Sequence, residues 1–136
     1  MRVVRGLRVY GARELGVDQR VCRGVAVGGC VARPHADRRF TSGSINAHAH
    51  NYREDDAFGW ACFDHERHLF TPTGRLSRVF WHEYAHLLVP NADHGRRWQQ
   101  AVTALGWPSE AVRYRPSRRA GPAAAGRSGS TARRRR

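Results

Sequence analysis

No apolar run among these 136 residues approaches the ~18 that a membrane-spanning helix needs, so no membrane partner is expected. The opening MRVVRGLRVYGARELG is interrupted by arginine and glycine and lacks the apolar stretch of ~7–15 residues found in a secretory signal. Secretion is therefore not expected. Only three cysteines are present, Cys22, Cys30 and Cys62, widely spaced and without a CxxC pair. Neither a disulfide framework nor a cysteine zinc knuckle follows from that pattern, and a reducing, cytoplasmic setting is expected. Lysine is missing altogether, so all 24 cations are arginine. Residues 113–136 have no acid and nine of those arginines, which leaves only +4 of the net +13 on residues 1–112. From Pro116 onward there is no aromatic or large aliphatic residue, too little apolar surface to offset the entropy of ordering, so a disordered tail is expected.

What remains has the size and 40% hydrophobic content of one small domain. Residues 1–16 read as a helix, with Val3, Leu7, Tyr10 and Leu15 on one stripe and Gly16 as its stop. A strand is expected within Val21 to Val27 and a loop over Arg33 to Ser44. In Ser44 to Asn51 the residues Ile45, Ala47 and Ala49 alternate with Asn46, His48 and His50, the period of a half-buried strand. Gly59 to Phe63 and His68 to Thr71 flank Asp64 to Arg67 as a hairpin would, which predicts a small antiparallel sheet. Leu76, Val79, Phe80, Leu87 and Leu88 then recur at helical spacing up to Pro90. A second helix is expected after Asp93 as N-cap, with Trp98, Val102 and Leu105 inward and Gly106 and Pro108 at its end. The fold class predicted is α+β.

The chemistry sits in the run WHEYAH over 81–86. On a helix His82 and His86 are one turn apart on one face, so both imidazoles can reach one zinc ion at ~2.0–2.1 Å. Glu83 beside them is placed to take a proton from an attacking water. Two surface histidines and a solvated glutamate would produce the same five-residue pattern by chance. A third ligand decides between these, and His94, opening the second helix after a short turn, can return beside His86. Asp93 and Glu110 are rivals: Asp93 suits an N-cap, while Glu110 follows Gly106 and Pro108 and lies on no recognisable helix. The spacing HExxHxxGxxH is absent, and the only methionine is Met1, which rules out a metzincin. His48 and His50 read as solvated, His65 and His68 as turn residues, and Cys62 as a small buried hydrophobe. Tyr84, Arg96 and Arg97 are the neighbours expected at the cleft.

The stretch HEYAHLLVPNADHGRRWQQAVTALGWP resembles the zinc site of the SprT-like metallopeptidases, the family that includes the Spartan DNA–protein crosslink proteases. The resemblance lies in His82, Glu83, His86, His94, Gly95, Trp98, Leu105 and Gly106 and covers about residues 59–108. The interval from His86 to His94 is short, as in small bacterial and phage-type members, and no zinc ribbon follows, since no cysteine lies beyond Cys62. The resemblance implies a zincin-like domain over 1–112. It implies Zn²⁺ held by His82, His86 and His94, Glu83 as general base, and a protein or peptide substrate held on an edge strand, for which Gly59 to Phe63 is the candidate. A DNA contact would then come from the arginine-rich tail 113–136, a nucleoid-associated place in the cytoplasm. The alternative is a nucleic-acid-binding protein whose metal is structural; three evident ligands instead of four favour catalysis.

Overall fold

The computed structural model describes residues 6–32 and 46–114. The expected loop over Arg33 to Ser44 and nearly all of the expected tail lie outside the described residues. Strands β1 (Arg8–Gly11), β2 (Gly24–Val27), β3 (Ala47–Ala49) and β4 (Trp60–Phe63) form one sheet in the order β1-β2-β4-β3. Helices α1 (Glu66–Leu69), α2 (Arg78–Leu88), α3 (Arg96–Ala104) and α4 (Pro108–Arg113) follow. The protein is thus a small α+β fold. No helix among the described residues is long and apolar enough to cross a membrane.

The sheet is mixed, not antiparallel: β2 and β4 run parallel, while β1/β2 and β3/β4 are antiparallel. Both inner strands are apolar or small, as strands covered on both faces must be. At Gly24 a Cβ would stand 2.6 Å from the ring of Trp60, its register partner, so the close pairing of β2 with β4 requires glycine there. One face of the sheet carries Tyr10, Val25, Val27, Ala47, Ala61 and Phe63, and the α2 residues Phe80, Tyr84 and Leu87 pack on it. Leu7, Ala26, Cys30 and Cys62 form a second, smaller cluster, which the period of two assigns to the opposite face.

Three sequence expectations are corrected here. Of the expected helix over 1–16, Val3 lies outside the described residues, and β1 stands where its middle was expected: Leu7 and Tyr10 go to opposite faces of the sheet, which a single helical stripe cannot do. The hairpin after β4 is replaced by α1, capped by His65, whose Nδ1 accepts the Arg67 N–H at 3.2 Å; of its second strand only a lone bridge, Phe70 to Leu76, remains. Gly59 to Phe63 is not at an edge, because β4 lies between β2 and β3. The edge strands are β1 and β3, and β3 is the one beside the cleft.

The two long helices follow the sequence more closely. Ser77 caps α2, its Oγ accepting the Phe80 N–H at 3.1 Å. Trp98 and Val102 on α3 and Ala111 on α4 bury against Ala85 of α2. The N-cap of α3 is Gly95, not Asp93, whose carboxylate instead accepts from the Tyr52 hydroxyl at 3.2 Å. Glu110 does lie on a helix, since Pro108 starts α4 at a position where a missing N–H costs nothing. Arg113 ends α4 and Tyr114 stacks on His94, so these first two residues of the expected tail belong to the folded unit.

Candidate metal centre

Helix α2 turns one face to the sheet and the other to a cleft of about 650 Å³, and His82, Glu83 and His86 line that cleft. His94 reaches it from the connection between α2 and α3. That connection is held in place by the β3–β4 loop: Asn91, in the left-handed region at φ 59°, donates its N–H to the Asn51 carbonyl at 2.9 Å, and Asn51 Nδ2 donates to the Ala92 carbonyl at 2.8 Å. The result is a convergence of three ring nitrogens of one kind. His94 Nε2 lies 2.9 Å from His82 Nε2 and 3.1 Å from His86 Nε2. In a tetrahedral site with zinc–nitrogen bonds of ~2.0–2.1 Å, ligand nitrogens stand about 3.3 Å apart, so the donor set and its spacing fit a single zinc ion.

Trp98 is the floor under this cluster. It is fully buried, stacks on His86 at 5.3 Å between centroids, meets His94 edge-on at 4.6 Å, and lies within 3.3 Å of the His82 carbonyl through its indole N–H. Burial lowers the pKa of all three histidines, and the neighbouring His82 and His94 help to push His86 down to about 3. Neutral imidazole is the form that ligates metal.

Glu110, weighed from sequence as a rival ligand, has a different place. Its side chain is buried, and its Oε2 accepts from His82 Nδ1 at 3.0 Å, which fixes the tautomer that points the Nε2 lone pair into the cluster. Arg78 donates to Oε1 of the same carboxylate. Burial opposes ionisation of Glu110, but the hydrogen bonds from His82 and Arg78 prevail and lower its pKa. A carboxylate behind a ligating histidine orients the ring and strengthens it as a donor. Glu110→Gln keeps the shape and removes the charge, so zinc affinity is expected to fall ~10–100-fold, measured by competition with a chelator of known strength. Complete loss of zinc would instead make Glu110 a direct ligand.

Glu83 is almost wholly buried, which pushes its carboxyl up to about 8, while the backbone N–H of Ala49 donates to it and acts the other way. A divalent cation nearby also favours the carboxylate form. Ala49 belongs to β3, the edge strand lining the cleft. The pairs Asn46 with Asp64 and His50 with Trp60 direct the backbone groups of alternate residues toward β4, so those of Ala47 and Ala49 point away from it, to the cleft side.

Tyr84 is buried in the sheet-facing core, and Arg96 and Arg97 are exposed on α3 outside the cleft lining. Arg78, Arg113 and Tyr114 line it instead. Tyr114 stacks on the His94 ring at 4.2 Å between centroids, a contact that no local sequence pattern announces. His48 and His50 are not solvated but buried. With Cys30 and Cys62 they form a second group that could hold a metal ion, while Cys62 also packs, as expected, in the smaller apolar cluster. No family model matches the chain, and neither does any curated protein or solved structure.

Proposed function

We propose that this chain is a zinc-dependent metallopeptidase of the SprT-like kind, with a zincin-like arrangement of edge strand and HExxH helix. The observation that carries the reading is the approach of His94 Nε2 to within 2.9 Å of His82 Nε2 and 3.1 Å of His86 Nε2 at the wall of an open cleft, with Glu83 on the same wall. His82, His86 and His94 would hold the ion. Three protein ligands leave a position open, as catalytic sites do and closed structural sites do not. Zinc bound there would polarise a scissile carbonyl and lower the pKa of a water toward ~7.

The chain's own residues supply the rest. Glu83 takes the proton of the attacking water and returns it to the departing amine. The outward backbone groups of β3 other than the Ala49 N–H, which goes to Glu83, pair with an extended substrate, so the peptide lies along the cleft as an added strand. Tyr114 and Arg113, on the cleft wall, are the hydrogen-bond donors nearest in kind to what an oxyanion requires. Residues 115–136 add eight arginines and no acid, which suits phosphate contact and a DNA-associated protein as substrate.

Hydrolysis of an unfolded protein and of a DNA-binding protein, by zinc-loaded and chelator-stripped chain, with and without DNA, tests this reading. Zinc-dependent cleavage, stimulated by DNA only for the DNA-binding substrate, is expected. Absence of zinc-dependent cleavage would contradict the peptidase, and lack of stimulation would contradict the DNA association alone.

A further inference from the structure

On the sheet face away from α2, four side chains with metal-binding atoms meet. Cys30 comes from the segment after β2, His48 from the middle of β3, His50 from just beyond it, and Cys62 from β4. All four are buried, and one ligand atom of each lies within 4.8 Å of all the others. The period of two is what gathers them. His48 and Cys62 are direct register partners, His50 follows His48 on the same side, and their rings stand 5.0 Å apart between centroids.

The geometry points to a second metal site, a structural zinc ion held by Cys30, His48, His50 and Cys62. Two sulfurs and two imidazoles form a closed tetrahedral donor set characteristic of zinc. With bonds of ~2.3 Å to sulfur and ~2.0–2.1 Å to nitrogen, such ligand atoms lie about 3.3–3.8 Å apart, so small side-chain rotations close the observed spread. Cys30 Sγ and His50 Nε2 are already 3.2 Å apart. A second observation supports the assignment independently: His50 Nδ1 bonds Asp55 Oδ2 at 2.6 Å, and Asp55 Oδ1 accepts the Ala57 N–H at 2.8 Å. A carboxylate that is itself anchored thus orients His50 so that its Nε2 faces the cluster, the same device that Glu110 provides for His82.

The ion would join three separate stretches of chain where the apolar cluster is small. Among the described residues, the cluster buries Leu7 and Ala26 beside the two cysteines, with Val9 and Val31 at the margin. Small domains that cannot bury a large core are commonly completed by a metal. The site also bears on the cleft, because Ala49, whose N–H reaches Glu83, stands in the chain between His48 and His50. The inference does not depend on the peptidase reading, since the cleft cluster contains no sulfur.

The test uses the full-length chain produced in zinc-supplemented medium. Metal analysis is expected to give two zinc ions per chain, and X-ray absorption at the zinc edge a sulfur shell at about 2.3 Å averaging about one sulfur per zinc. In Cys62→Ala the zinc content should fall to one, the sulfur shell should vanish, and the melting temperature should drop. His94→Ala should keep the sulfur shell and raise it to about two sulfurs per zinc, because it vacates only the cleft. A shell of nitrogen and oxygen alone in the folded, zinc-loaded wild type would overturn the site. So would Cys30 and Cys62 being found oxidised to a disulfide in that protein. The wild-type spectrum decides the matter even if Cys62→Ala does not fold.

Discussion

Glu83→Gln is expected to abolish peptide hydrolysis while leaving zinc in the cleft. The three ring nitrogens proposed to hold the ion are untouched, and a glutamine oxygen can still accept the Ala49 N–H that now goes to the carboxylate. The fold should not suffer, because an uncharged amide suits a site buried deeply enough to hold the carboxyl near a pKa of about 8. What is lost is the ability to take and return a proton, an effect of ~10²–10⁴ in rate. The measurement is cleavage rate beside zinc content and melting temperature. A drop in rate with both others unchanged is the expected pattern. Unchanged hydrolysis would remove Glu83 from the chemistry, and loss of zinc would make it a structural residue.

His94→Ala is expected to empty the cleft of zinc. His94 makes both of the short Nε2 contacts, to His82 and to His86, and without it two ligands on one helix remain. The loss of affinity should exceed the ~10–100-fold expected when only an orienting partner such as Glu110 is altered. Stability of the metal-free protein should change little, because His94 lies outside the helices and is only half-buried. Asp93→Ala provides the contrast, since that carboxylate is exposed and bonded to Tyr52. The readout is zinc content at equal protein, falling by one ion per chain in the histidine variant and unchanged in the aspartate variant. If Asp93→Ala removes the zinc and His94→Ala does not, the ligand has been assigned to the wrong neighbour.

Helix α2 and the meeting of His94 with His82 and His86 were legible in the sequence because they rest on local rules. A helical period fixes the face shared by His82 and His86, and a short turn before a second apolar stripe fixes the return. Glu110 escaped because Gly106 and Pro108 read as an ending, whereas Pro108 begins another helix, and because its contact with His82 spans 28 residues. The sheet was misread for a related reason. Parallel pairing of β2 with β4 is a long-range choice with no local signature, so β4 was given a hairpin partner that is in fact a turn of helix. Within the expected strand over Ser44 to Asn51, whose first two residues lie outside the described ones, Ala47–Ala49 form β3 with the expected period of two but with different surroundings. Polar alternates normally face water, but here a segment carrying Cys30 covers that face. A signal was nevertheless available: with β3 and β4 paired, His48, His50 and Cys62 share one parity, and two histidines on a strand beside a cysteine are unusual for a solvated face.

Anomalous diffraction at the zinc edge, from crystals of the zinc-loaded protein, tests most directly whether His82, His86 and His94 hold one metal ion with one coordination position open beside Glu83. The predicted result is a peak ~2.0–2.1 Å from Nε2 of all three histidines, with Glu110 reaching the ion only through His82 and with no fourth side chain bound. A peak bonded to Glu110 or Asp93, or no peak among the three imidazoles, would contradict it.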